Sequence, residues 1–194
     1  GERNPQALKK SLQQIALSSQ RAAHMVNQLL AMARAEDKEH SARREVLNLA
    51  DLATEVVLDF VPRSLEKRID LGFEGPDIAA SARHPQGPLV LAHPVLLREL
   101  IRNLVDNALL YTPTGGTITV RVVDDPFGQV VVLQVEDSGP GIAPAEREQV
   151  FQPFYRSLGT GVDGSGLGLA IVREIALQHE VQIDLSDANL HHRP

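Results

Sequence analysis

Pro94-Val95-Leu96-Leu97-Arg98-Glu99-Leu100-Ile101-Arg102-Asn103-Leu104-Val105-Asp106-Asn107-Ala108-Leu109-Leu110-Tyr111 is the stretch around which the chain is organised. Pro94 suits the first turn of a helix, where its missing N–H is no loss. Pro113-Thr114-Gly115-Gly116 breaks the pattern after Tyr111. Leu97, Leu100, Ile101, Leu104 and Ala108 form one apolar face, and Asn103 and Asn107, four apart, share the face beside it. Two carboxamides on a mostly buried helix need partners, because an unpaired buried amide costs about 1–3 kcal/mol. A hydrated Mg²⁺ with phosphate oxygens would satisfy them, since Asn supplies a neutral oxygen and Mg²⁺ takes few protein ligands. Bonding of both amides to backbone in a crowded corner would satisfy them as well.

Working outward from this helix, residues 117–123 and 129–136 are β-branched runs joined as a hairpin by Asp124-Asp125-Pro126-Phe127-Gly128. Upstream, residues 46–49 read as a short strand. A helix follows over 51–67, with Asp51 near its start, then a strand over 68–73, a loop over 75–88 and a short strand over 89–91. Downstream, 138–166 is loop-rich, 167–179 a helix and 181–185 a last strand. The order β-α-β-β-α-β-β-loop-α-β predicts an α/β fold, a mixed β-sheet with helices on one face.

Ahead of this domain lies a different pattern. Residues 7–37 contain no Gly or Pro, and Leu8, Leu12, Ile15, Ser19, Ala22, Val26, Leu29 and Ala33 alternate spacings of four and three. That is an a/d seam, which needs a partner helix in a bundle or coiled coil. Residues 38–44 are polar and aperiodic and read as a linker. The expected division is a helix in need of a partner at 1–37, the linker at 38–44, and an α/β domain over 45–194.

The 194 residues carry a formal charge of −6, with 43% hydrophobic and 23% charged side chains, so a packed core is affordable and full disorder is excluded. The absence of cysteine excludes disulfides, thiolate metal sites and a Cys nucleophile. The acidic balance gives no footprint for nucleic acid, and no apolar run is long enough to span a bilayer. Starting at Gly1 without a signal-peptide pattern, the chain reads as a piece of a longer protein.

Three further stretches carry chemistry. Asp137-Ser138-Gly139-Pro140-Gly141-Ile142 follows a strand. A carboxylate there can accept a hydrogen bond from an exocyclic amine such as that of adenine, while Gly139 and Gly141 let backbone approach a flat ring; the same residues also make an ordinary turn. Gly164-Ser165-Gly166-Leu167-Gly168-Leu169 leads into a helix, whose first N–H groups suit phosphate. A dinucleotide fingerprint would need a strand directly before it, and a P-loop would need Gly-Lys-Ser/Thr; neither is present. Phe151-Gln152-Pro153-Phe154-Tyr155-Arg156 gathers three of the chain's seven aromatics. They read as an anchor for a mobile segment or as a plain hydrophobic plug, with Arg156 placed to reach a phosphate or a partner's acid.

Asn-x₃-Asn on a helix, then D-S-G-P-G-I, F-x-P-F-Y-R and G-S-G-L-G-L, in that order, resembles the catalytic ATP-binding domain of sensor histidine kinases. The resemblance covers residues 45 to about 185. The seam helix, ending Asn27-Gln28-Leu29-Leu30-Ala31-Met32-Ala33-Arg34, looks like the second helix of that family's dimerisation bundle. The resemblance implies a two-layer sandwich of the histidine-kinase, gyrase and chaperone ATPase type, binding ATP and Mg²⁺ under a lid at about residues 140–168. It implies that Asn107 and Asn103 hold the metal and phosphates and that Asp137 takes the adenine amine. Tyr111, Gly139, Gly141 and Ile142 would lie near the base. Gly164, Ser165, Gly166, Leu167 and Gly168 would line the phosphates, and Phe151 and Phe154 would fix the lid. The implied chemistry is γ-phosphoryl transfer to a histidine, for relay to a response regulator. The implied setting is a homodimeric parent anchored in the bacterial inner membrane, with this part on the cytoplasmic side and not itself touching the bilayer.

The sequence departs from that family at the phosphoacceptor. None of His24, His40, His84, His93, His179, His191 and His192 precedes an acidic residue and Arg-Thr-Pro. The expectation is therefore a fragment that binds ATP and lacks the phosphoacceptor helix. Leu110 replaces a frequent Lys or Arg, His179-Glu180-Val181 a frequent His-Gly-Gly, and His93 a common Asp. Two alternatives stand beside the kinase reading. One is an ATP-hydrolysing relative, which would need a Glu where Asn103 stands; Glu99 lies one turn further back. The other is a degenerate module used only for binding.

Overall fold

Asn48 starts the first helix. Its Oδ1 accepts from the N–H groups of Ala50 at 2.9 Å and Asp51 at 3.3 Å, satisfying two of the donors that a helix start leaves open. The helix therefore begins two residues before the Asp51 at which the sequence pattern starts it. The helix, α1, runs Leu49–Lys67 and ends with Arg68 in the left-handed region at φ 56°, its N–H returning to Ser64 and Leu65 carbonyls.

The computed structural model describes residue 26 and residues 44–75, 87–124, 130–155 and 164–188. The seam helix apart from the helical, exposed Val26, the linker before residue 44, the hairpin turn at 125–129 and Arg156 lie outside the described residues. The described elements are β1 (Glu45–Asn48), α1, β2 (Asp70–Glu74), β3 (Leu89–Ala92), α2 (Pro94–Tyr111), β4 (Thr117–Asp124), β5 (Val131–Asp137), short 3₁₀ turns at Pro144–Glu146 and Gln149–Phe151, and α3 (Gly168–Gln178).

β4 is central in a mixed three-stranded sheet, parallel to β2 and antiparallel to β5. Ile118, Val120 and Val122 alternate onto one face and are no more than 1% exposed, as the two-residue period of a strand requires. α1, α2 and α3 bury Val56, Phe60, Ile101, Val105, Ile171 and Ile175 in the same core. Each such side chain contributes about 1.5–3 kcal/mol on burial. On the opposite face, Arg121 bridges Glu74 of β2 and Glu136 of β5. The result is the expected two-layer α/β sandwich. β1 and β3 pair antiparallel with each other as a separate ribbon, Val46 opposite Leu91. The ribbon feeds the starts of α1 and α2, whereas β2 and β4 leave from their ends.

The two helices run parallel, and their contact shows why. Glu55–Arg98, Asp59–Arg102 and Arg63–Asp106 pair one turn apart along both helices, the last two at 2.9 and 2.6 Å. Phe60 lies under the guanidinium groups of Arg63 and Arg102, each 5.3 Å from the ring centre. Exposed pairs of this kind contribute only about 0.2–1 kcal/mol each. They also favour this register, because a one-turn slip would set like charges against each other, Arg63 against Arg102 or Asp59 against Asp106.

The segment at 181–188 is not a strand. Ile183 and Leu185 are half-buried in the alternation expected of one, but the backbone is held by a side chain. Arg147 donates to the Leu185 carbonyl at 3.3 Å and to Asp187 Oδ1 at 2.6 Å.

α2 begins at His93, whose Nδ1 accepts from the Leu96 N–H at 3.5 Å, a long bond. Its backbone N–H donates to His179 Nε2 at 3.0 Å, tying the start of α2 to the end of α3. A carboxylate is a better acceptor at this position and complements the helix dipole. His93→Asp is expected to raise stability at neutral pH by about 0.5–1 kcal/mol, read from the urea midpoint; a lowered midpoint would show that the ring is needed for packing.

Candidate functional site

Asn103, Asn107 and Tyr111 follow one another at four-residue spacing along the last turns of α2, so helix geometry puts them on one side. Asn103 is buried, and its Nδ2 donates to the Glu99 carbonyl at 2.8 Å and to Glu99 Oε1 at 3.2 Å. The backbone-bonded alternative is thus realised for the nitrogen of Asn103. Asn107 is half-buried and makes no side-chain hydrogen bond among the described residues.

Both amide oxygens look toward the first residue of α3. A Cβ at Gly168 would stand 3.5 Å from Asn103 Oδ1 and 3.7 Å from Asn107 Oδ1. The glycine leaves open the space in front of two neutral oxygens. No cluster of three or more acidic, His or Cys side chains suited to a metal exists among the described residues. A cation held here would therefore rely on these carboxamides, water and a ligand's own oxygens. That donor set fits Mg²⁺, which binds by few protein ligands and phosphate oxygens.

The two glycine loops meet at the end of the same helix. A Cβ at Gly164 would lie 2.9 Å from Leu110 Cδ2 and 3.9 Å from the Tyr111 hydroxyl; one at Gly139 would lie 3.2 Å from the Tyr111 carbonyl oxygen. Asp137, at the end of β5, accepts the Gly139 N–H on Oδ1 at 2.7 Å. That bond makes the ordinary turn foreseen as an alternative. It occupies one carboxylate oxygen, and the other takes no hydrogen bond among the described residues. Gly141 has a positive φ of 74° with nothing within 4 Å of its missing Cβ. Ile142 is half-buried beside it.

The second loop closes on the aromatic stretch through backbone. Phe154 N–H donates to the Gly166 carbonyl at 2.8 Å. Gly166 sits at φ 71°, and a Cβ there would come within 2.8 Å of Phe154 backbone atoms. Ser165 Oγ accepts the Leu167 N–H at 3.2 Å, and the Leu167 side chain is fully buried. The Phe154 ring is 59% exposed, so it is not the anchor expected from sequence; the main chain at Phe154 and the half-buried Phe151 hold this stretch. Tyr155 donates to Glu146 Oε1 at 2.9 Å, and this carboxylate raises the phenol pKa above its ordinary value. Arg147, from the same turn, donates to the Ile142 carbonyl at 3.3 Å.

Asn103, Asn107, Tyr111, Asp137, Gly139, Gly164 and Gly168 are thereby linked, through short contacts, around the C-terminal half of α2, and Gly166, between the last two, packs on the Phe154 backbone. Sequence reasoning missed Glu99 as the partner of Asn103 and Arg147 as the clamp on Ile142. Neither breaks a periodicity or belongs to a glycine motif, so no local signal marks them.

A family model described as histidine kinase-, DNA gyrase B- and HSP90-like ATPase matches residues 92–192. The chain is 34% identical over 183 residues to the sensor protein kinase PmrB of Pseudomonas aeruginosa, covering 94% of this chain and 36% of that protein. It is 33% identical over 185 residues to the sensor protein QseC of Escherichia coli K12, covering 95% and 38%. The chain thus spans little more than a third of these relatives. Among solved structures, the nucleotide-free catalytic domain of histidine kinase ThkA superposes with a TM-score of 0.58 at 28% identity, over 71% of this chain and 82% of that one. Full-length ShkA in complex with AMPPNP gives 0.69 at 26% identity, over 88% and 34%.

The contacts of Gly166 and Gly168 separate folding from binding. Gly166→Ala is expected to lower stability by about 2 kcal/mol, from left-handed strain and a backbone clash. Gly168→Ala, whose Cβ meets only ordinary contacts, is expected to leave stability within about 0.5 kcal/mol while crowding the two amide oxygens. Urea unfolding of both variants checks this; equal losses would mean that the loop around Gly166 has room to relax.

Proposed function

The chain belongs to the histidine kinase-, DNA gyrase B- and HSP90-like ATPase family, with a catalytic domain of the sensor histidine kinase kind, and from that premise we propose that it binds Mg-ATP and supplies the γ-phosphoryl group to a histidine outside residues 1–194. The observation that carries this reading is the convergence of two carboxamide oxygens and two glycine loops on one end of α2. In this reading Asp137 receives the adenine amine on the oxygen that the Gly139 turn leaves over. Tyr111, Gly139, Gly141 and Ile142 face the base. Ser165 and the backbone from Gly164 to Gly168 face the phosphates.

Asn107 and Asn103 hold Mg²⁺, which when bound neutralises charge on the phosphates. The reaction moves the γ-phosphorus from the β-phosphate oxygen to an imidazole nitrogen, releasing ADP. Such a transfer needs positioning and charge neutralisation more than covalent help from the protein. Arg156 completes the proposed set, as a contact to phosphate or to a partner's acid.

Hydrolysis is the weaker reading. A water-activating base would have to stand where Asn103 is, and an amide whose nitrogen donates to Glu99 cannot take a proton. Relay to a response regulator is supported by the superposition on ThkA in complex with response regulator TrrA, TM-score 0.60 at 26% identity over 82% of this chain. The proposed setting is a dimer through the Leu8–Ala33 seam, on the cytoplasmic side of a membrane-anchored parent. No helix among the described residues is long and apolar enough to cross a membrane.

Titration calorimetry with a non-hydrolysable ATP analogue and Mg²⁺ is expected to give micromolar affinity, about 7–8 kcal/mol, with little ATP turnover by the chain alone. Asp137→Asn keeps an acceptor for Gly139 but turns a donor toward the adenine amine. Asn107→Asp alters the charge of the metal site. Both variants are expected to lose binding by at least about tenfold with unfolding midpoints unchanged. Wild-type affinity in both would remove this site assignment.

A further inference from the structure

A carboxamide can face a site with its oxygen or, after half a turn, with its two N–H donors, and only the first orientation accepts from or coordinates a cation. What surrounds the nitrogen decides the orientation. Among the described residues, Asn103 Nδ2 donates to two acceptors with no hydrogen to give, the Glu99 carbonyl oxygen at 2.8 Å and Glu99 Oε1 at 3.2 Å. Turning the amide over would set Oδ1 against two oxygens, one of them a carboxylate. Oδ1 therefore stays on the side of Gly168, facing the same point as Asn107 Oδ1.

We infer that Glu99 is a positioning residue for the metal-nucleotide site: its carboxylate, one helical turn behind Asn103, holds that amide oxygen-outward. The inference rests on the Mg-ATP reading given above and extends it to a residue outside the proposed set of nucleotide contacts. The two asparagines then differ in kind. Asn103 is a pre-set oxygen on a buried stem, and Asn107, with no hydrogen bond of its own among the described residues, adjusts to the ligand. The backbone carbonyl of Glu99 supplies one of the two constraints in every variant, so removal of the side chain relaxes the amide without releasing it. The carboxylate also places negative charge behind a neutral ligand, as acids behind metal ligands commonly do.

The test measures analogue affinity with and without Mg²⁺ in wild type, Glu99→Gln, Glu99→Leu and Glu99→Ala, beside thermal unfolding of each. Glu99 is half-buried, and Leu and Ala both suit a helix interior, so these variants are expected to fold with little change in Tm. Glu99→Gln keeps an oxygen acceptor and is expected to keep most of the magnesium-dependent gain in affinity. Glu99→Leu and Glu99→Ala are expected to cut that gain by roughly three- to tenfold, the lower part of what outer partners of metal ligands contribute, while magnesium-free affinity stays constant. Wild-type magnesium dependence in both apolar variants would overturn the inference and leave the nucleotide reading standing. A loss in Glu99→Gln as large as in Glu99→Leu would also overturn it, by showing that charge rather than amide orientation is at work. A wild-type chain that binds no analogue at all would overturn the nucleotide reading and this inference together.

Discussion

The C-terminal turn of α2 is closed by a cation from the neighbouring helix, and the site depends on that closure. A helix end leaves its last carbonyls without partners. Here the Lys67 ammonium group, with three N–H donors, meets the carbonyls of Leu109, Leu110 and Thr112, the last two at 3.0 Å. Burial, and then the nearby Arg63 charge, hold the lysine pKa below its ordinary value. The cation therefore sits there at a cost that its carbonyl partners offset. The turn it closes carries Leu110 and Tyr111, against which Gly164 and Gly139 pack. A loosened turn would move both glycine loops together.

The strands that follow are tied into the same corner. Gly115 N–H donates to the Arg68 carbonyl at 3.0 Å, and Asp70 N–H to the Gly116 carbonyl at 2.9 Å. The chain leaving α1 and the chain leaving α2 thus cross-bond before they enter the sheet as the parallel pair β2 and β4. Ser138 at the far end of β5 joins them, bonding Thr117 through both backbone and hydroxyl. The corner brings the starts of two strands, the end of a third and the ends of two helices within reach of one another. Motifs spaced over some seventy residues meet here.

Much of this was legible in the residues. α2 was readable to its ends because Pro94 and the Pro113–Gly116 break bracket a strong apolar period, and β4 and β5 because β-branched residues alternate. The four motifs were readable because glycine before a helix and paired Asn are uncommon patterns. Capping was less legible: Asn48 and Asp51 both suit a helix start, and the local sequence does not say which one the chain uses. Strand pairing at a distance was not legible either. Residues 45–48 and 89–92 form their own ribbon, and 181–188, patterned like a strand, is tied by Arg147. Lys67, Glu99 and Arg147 look in sequence like any solvated charge on a helix or turn. Their partners are backbone carbonyls or side chains fixed only by tertiary structure.

The structural and the proposed ligand-facing readings of the polar residues are compatible, because two of these residues divide the roles atom by atom. Asn103 spends its nitrogen on Glu99 and turns its oxygen to Gly168. Asp137 spends one oxygen on the Gly139 N–H, and its other oxygen makes no bond among the described residues. A group held at one atom loses little freedom when the other engages a ligand, so the entropic cost of ordering it is met during folding. A wholly satisfied carboxylate would have nothing left to offer, and a wholly unsatisfied one would be costly to bury. The hydrogen bonds that favour a bland reading of these residues also hold the outward atoms rigid, which is what the proposed nucleotide site requires of them.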